Sequence, residues 1–151
     1  MRSVRAPSHP QYAPAVSTGT PQRDLVLIIA RELASKLATP AFLVDERGDV
    51  VFYNEAAGEL LGRPFVESRG MPASEWSTVF HPVDDQGTPI ALEDLPLGRA
   101  ITEGTPAHRT FYIESADGVG RRIDTTALPL YSHAEAFVGG LAVFWESPGD
   151  R

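Results

Sequence analysis

The stretch Phe137 to Trp145, reading FVGGLAVFW, sets the strictest condition on the fold. In an extended chain successive side chains point to opposite faces of a sheet. Leu141, Val143 and Trp145 therefore share one face, while Val138, Ala142 and Phe144 occupy the other. A strand that is apolar on both sides has to be covered on both sides, so the chain must form a sheet with cover for each face. Thr110 to Glu114 and Arg121 to Leu130 read as two strands ahead of it, joined around Asp117-Gly118, a strong hairpin signal. The second of these connects to the last strand through Ser132 to Ala136.

The front of the chain repeats the pattern. Ala41 to Val44 and Val50 to Tyr53 flank the polar turn Asp45, Glu46, Arg47 and Gly48, which predicts a hairpin. Asn54 stands at the N-cap of a helix over Glu55 to Leu61, and Gly62 suits its end. Phe65, Met71, Trp76, Val79 and Phe80 lie among prolines and polar residues, predicting short helical turns and loops. Glu93 and Asp94 lead a further helix with Pro96 in its first turn, Gly104 at its end, and Leu97, Ala100 and Ile101 as core contacts.

Residues 1–19 are rich in Pro, Ser, Ala and Thr without hydrophobic periodicity, which predicts a disordered tail. Thr20-Pro21 then caps an N-terminal amphipathic helix over residues 20–38, ended by Thr39-Pro40. At 100° per residue Val26, Ile29, Ala30, Leu33 and Leu37 form one stripe, expected to dock on the sheet. Leu25 and Ile28 project among polar residues instead, and are candidates for a dimer interface.

Several functional classes are disfavoured. A formal charge of -7 argues against nucleic-acid binding, which needs clustered positive charge. The absence of cysteine removes disulfides, thiolate metal sites, cysteine nucleophiles and cysteinyl photoadducts. Pro7, Pro10 and Pro14 interrupt any signal-peptide core, and no apolar run is long enough to cross a bilayer. The expectation is a cytoplasmic chain of 151 residues, with no membrane or nucleic-acid partner. Lys36 is the only lysine among 13 basic residues, in keeping with a GC-rich bacterial genome.

The string VDERGDVVFYNEAAGELLGR, Val44 to Arg63, resembles the start of a PAS domain, where a hairpin leads into an Asn-capped helix. EDLPLGRAITEG, Glu93 to Gly104, is similar to the approach to and body of that family's long helix. ADGVGRRIDTTALPL, Ala116 to Leu130, is similar to its Asp-Gly hairpin and following strand. The resemblance covers residues 39–146, leaving 147–151 as a short C-terminal tail. It implies an α+β fold, a five-stranded antiparallel sheet with helices on one face, preceded here by the N-terminal helix. It also implies a sensory, dimerising or partner-binding role in signal transduction, not an enzyme.

An apolar cleft would lie between sheet and helices around Trp76 to Ile101, with Phe52, Leu61, Phe80, Leu97, Ile101, Phe111, Ile113 and Val143 as candidate walls for a small apolar ligand. Ordinary core packing accounts for the same residues. No histidine lies between Glu93 and Gly104 to hold haem, although His81 and His108 lie near enough in sequence to test. A covalent flavin adduct lacks its cysteine.

His81, Asp84 and Asp85 have donor types for acid/base or metal chemistry, against which stands their role as turn residues. Arg109, Arg121 and Arg122 read either as an anion site or as sheet residues paired with Glu114 and Asp124. No output domain fits after Trp145, so a signal would leave through a separate protein, through a homodimer or through the N-terminal helix. A ligand-free adaptor is the alternative reading, and a small α+β enzyme the third. A cavity of several hundred cubic ångströms favours the sensor, and a filled core the adaptor.

Overall fold

Helix α1 (Leu25–Ser35) leads into strand β1 (Ala41–Asp45), which turns back as β2 (Val50–Tyr53). Asp45 builds that turn: its buried carboxylate accepts from Arg47 N and Asp49 N at 2.9 and 3.1 Å, while Gly48 takes the left-handed φ of 88° that closes it. Helix α2 (Glu55–Leu61) follows, then α3 (Ala73–Val79), whose Trp76 indole donates to Gly48 O at 2.7 Å and so fastens α3 to the hairpin turn. A 3₁₀ turn at Leu92–Asp94 precedes α4 (Pro96–Glu103). These belong to a computed structural model describing residues 25–66, 70–115 and 118–148, without the side chains of 77 and 78. The expectations for residues 1–19, for the helix start at Thr20-Pro21 and for Asp117 lie outside the described residues.

Strands β3 (Ala107–Glu114), β4 (Gly120–Tyr131) and β5 (Phe137–Glu146) complete a five-stranded antiparallel sheet of order β2-β1-β5-β4-β3. The strand that is apolar on both sides is the central one, between β1 and β4, as its composition demands. Its inner face carries Ala142 and Phe144, packed with Phe42, Phe111 and Ile123 of the sheet against Leu61, Trp76, Phe80 and Leu97 from the helical side.

Helix α1 covers part of the outer face, through a different stripe from the one expected. Leu27, Ala30 and Ala34 are buried, and Leu27 and Ala30 pack with Leu43 and Val138. Val26 is half-buried, whereas Ile29, Leu33 and Leu37 are exposed. The reason is close approach. A methyl group on Gly139 would stand 2.2 Å from Val44 O and 3.1 Å from the Leu27 side chain, so the sheet has a dip there that only a bare backbone provides. Leu27 reaches into it, while the Ala34 carbonyl is held by Asn54 Nδ2 at 2.9 Å. Apolar periodicity weighs Leu33 above Ala34, but Leu27, Ala30 and Ala34 are the side chains that the docked face buries.

Candidate functional site

Between the inner sheet face and α4 lies a cavity of about 70 Å³. Leu61, Phe80, Leu97, Phe111 and Ile113 line it, together with Phe42, Trp76, Ile123, Thr125, Ala142 and Phe144, which were not among the expected walls. Their signal was present in the inward alternation Ile123, Thr125, Ala127 of β4 and Ala142, Phe144 of β5. The volume is well below the roughly 300–1,000 Å³ usual for small-molecule sites. Its wall surface is apolar, yet it contains one anomaly: the Thr125 hydroxyl, on a residue only 6% exposed, has no hydrogen-bond partner among the described residues. A buried hydroxyl left unpaired costs about 1–3 kcal/mol.

Three expected wall residues stand elsewhere. Strict alternation from Val50 would turn Phe52 inward, but the register shifts between Leu43 and Val44, so Tyr53 enters the core and stacks on Phe42 with ring centroids 5.1 Å apart. Phe52 faces outward under the Arg31 guanidinium, 4.7 Å from its ring centroid. Val143 shares the outer face with Leu141, while its neighbours Ala142 and Phe144 line the cavity. Ile101 packs at the core margin, away from the cavity.

Asn54 does far more than cap α2. It is 3% exposed, and its Oδ1 accepts from Ala57 N at 2.9 Å and from Ala41 N at 3.1 Å. Its Nδ2 donates to Ala34 O and Thr39 O, both at 2.9 Å. One side chain thereby joins the end of α1, the connector to the sheet, the start of β1 and the start of α2.

The outward side of α1 carries several exposed apolar side chains. Leu25, Ile28, Ile29, Leu33 and Leu37 are 43–66% exposed. Leu25, Ile28, Ile29 and Leu33 share the outward side of α1, and Leu37 follows just beyond its end at Ser35. Glu32 lies between Ile28 and Leu25 on this side, and it pairs with Lys36, just past the helix end, at 2.6 Å.

The polar candidates do not converge. His81 is exposed, at a left-handed φ of 50°. Asp84 accepts from Gln86 N and Thr88 N, both at 2.9 Å, and the Thr88 and Gln86 N–H groups hold its carboxyl below the usual range. Arg109 donates to Asp94 O at 3.2 Å, Arg121 to Ser115 Oγ at 2.9 Å and Arg122 to Ser147 Oγ at 2.9 Å. Arg121 also pairs with Glu146 at 3.4 Å, where Glu114 was expected. On the outer sheet His108 Nε2 lies 3.9 Å from Asp124, whose carboxyl is lowered mainly by the Thr110 hydroxyl, with help from Ser147, His108 and Arg122. Among the described residues no group of three or more His, Asp or Glu could hold a metal ion, and no helix is long and apolar enough to cross a membrane.

This arrangement, a five-stranded antiparallel sheet with helices on its inner face and a small apolar cavity beneath them, defines a class before it defines a protein. A family model described as a PAS fold, PAS_4, matches residues 35–147, and the chain belongs to that family, whose domains are typical of sensory and signalling proteins. No curated protein matches it. Among solved structures it is similar to the PAS domain of the fruit-fly ELK potassium channel, at 10% identity and a TM-score of 0.63, with 80% of this chain and 95% of that one covered. It is also similar to a PAS domain from Colwellia psychrerythraea, at 12% identity and a TM-score of 0.54, covering 81% and 97%. A third is the PAS domain of nitrogen regulation protein NR(II) from Vibrio parahaemolyticus, at 15% identity and a TM-score of 0.54, covering 79% and 98%. At these identities the likeness concerns the fold.

Proposed function

We propose that this chain is a PAS signalling module that works as a homodimer, with the α1 ridge of one copy set against the same ridge of another. The observation that carries the reading is the exposure of Leu25, Ile28, Ile29 and Leu33 along one side of a helix already docked by its other side, with Leu37 exposed just past its end. These five side chains expose on the order of 500 Å² together, more than half of the roughly 800 Å² that each partner contributes to a standard interface.

A second copy is the occupant that the charges suit. Glu32 and Lys36 lie among these apolar side chains with opposite signs, so an antiparallel copy sets each against its opposite across a two-fold axis. The small cavity argues for interaction over capture of a large cofactor, and haem has no histidine on α4 to hold it. The polar side chains are engaged separately, and the reading assigns the chain no catalytic activity. A bacterial cytoplasm is the setting proposed for it.

The test is the mass in solution. Light scattering on the wild-type chain should give twice the chain mass, and Ile28→Glu or Leu33→Glu should give the single mass with an unchanged circular dichroism spectrum. A wild-type chain that stays single at high concentration removes the proposal.

A further inference from the structure

Lys36 is the only lysine among 13 basic residues, the rest being arginines. It stands just past the end of α1 at Ser35, where the bond from Lys36 N to Leu33 O at 3.0 Å tightens the last turn. Its side chain is 67% exposed and its amine pairs at 2.6 Å with Glu32, which lies on the outward side of the helix and is itself 70% exposed. The last turn of α1 carries no basic residue, so Lys36 is also the cation that faces the negative end of the helix. An arginine would meet both needs, since its guanidinium stays charged and can hold a carboxylate at two points. What an arginine lacks is an amine open to acylation.

We infer that Lys36 is a modification site, acylated at Nζ by an acyl phosphate, and that this acylation controls whether two copies pair through α1. The inference rests on the dimer reading and names its regulation. In the transfer the Lys36 ammonium first yields one proton to solvent, and the free amine attacks the acyl carbon. An N–C bond forms as the C–O bond to phosphate breaks. Inorganic phosphate departs with the electron pair of that bond, and the second amine proton goes to water. No oxidant or reductant takes part, and the product is a neutral amide.

Loss of that charge acts on the pair of copies more than on the fold. Within one copy the Glu32–Lys36 pair is exposed at both ends, and such pairs contribute little to stability. Between antiparallel copies each Glu32 stands against the Lys36 of the other. Acylation removes both facing ammonium groups and leaves two carboxylates among the apolar side chains of the contact. Losing two such contacts weakens the dimer about tenfold. The effect is reciprocal: pairing covers Lys36, so the single copy is the form that reacts, and acylation in turn holds the chain in that form.

For the test, the full chain is treated with acetyl phosphate at a concentration low enough to keep it single, and the modified residue is located by peptide mass spectrometry. Light scattering over a dilution series then gives the dimer dissociation constant. One acetyl group on Lys36 is expected, with that constant about tenfold above the untreated chain and an unchanged circular dichroism spectrum. Lys36→Gln, which removes the charge without the reagent, should show the same weakening. Treatment of Lys36→Arg should leave its constant where it stood before treatment, which separates Lys36 from the terminal α-amine. Acetylated wild type that pairs as tightly as the untreated chain, or a Lys36 that stays free while the α-amine is acetylated, overturns the inference. A wild type that stays single at every concentration overturns the dimer reading instead, and the regulation with it.

Discussion

Replacing Asn54 separates a local cap from a joint between layers. Asn54→Ala removes the bonds to Ala41 N, Ala57 N, Ala34 O and Thr39 O at once, in a site that is 3% exposed. At about 1 kcal/mol net for each bond, and more for any partner that water cannot reach, the loss is about 3–5 kcal/mol. That is a large share of the roughly 5–15 kcal/mol that holds a domain together. Asn54→Asp sharpens the test. It keeps both accepting bonds, including the helix cap, and aspartate is as good a cap as asparagine. It replaces the donating Nδ2 with a carboxylate oxygen facing the carbonyls of Ala34 and Thr39. Urea unfolding should show both variants shifted to lower midpoints with little change in slope, the aspartate nearly as far as the alanine. Proteolysis between residues 36 and 40 should accelerate in both, because the end of α1 is released. An Asn54→Asp variant within about 0.5 kcal/mol of wild type would refute the reasoning and reduce Asn54 to a cap.

Ala34→Leu should destabilise the fold by about 1–3 kcal/mol through overpacking at the docked face, while Ile29→Glu leaves the monomer folded; thermal melts of the two decide which stripe of α1 faces the sheet. The Asp124 carboxyl is lowered in the folded state, so it contributes stability above its unfolded value near 3.9 that is lost as pH falls through the folded one. Melting temperatures from pH 7 to 3 should therefore fall more steeply for wild type than for Asp124→Asn, and parallel curves would contradict this. Haem reconstitution should yield no Soret band; a stoichiometric band lost in His81→Ala or His108→Ala would reverse that expectation.

The strands and the order of elements were legible because their signals are local: Asn54 before an alanine-rich run, glycines at 48, 62 and 104 where the backbone turns left-handed, and an apolar central strand. What alternation and periodicity could not supply was depth. Phe52 left the inner face because one register irregularity in the first hairpin turned Tyr53 inward, a displacement that nothing in the string VVFYN announces. The α1 face was misread because Ile29 and Leu33 outweigh Ala30 and Ala34 in hydrophobicity, whereas the docked face is set by Leu27 against Gly139 and by the Asn54 bond to Ala34 O. Asn54 could be read as a cap from its neighbours along the chain, but its bonds to Ala34, Thr39 and Ala41 join segments 13 to 20 residues away. Thr125 was hidden for the same reason, since an unpaired hydroxyl is a property of the assembled core.

Because the chain has no cysteine, Ser35→Cys gives a single site for a spin label beside the α1 ridge. Two ridges in contact place the helix axes about 8–10 Å apart, which brings the labels of a symmetric pair within roughly 25 Å of each other. Double electron–electron resonance on the labelled wild-type background should give one narrow distance in that range, abolished by adding Leu33→Glu. A decay without dipolar modulation at high concentration, or a long distance that Leu33→Glu leaves unchanged, would contradict pairing through α1.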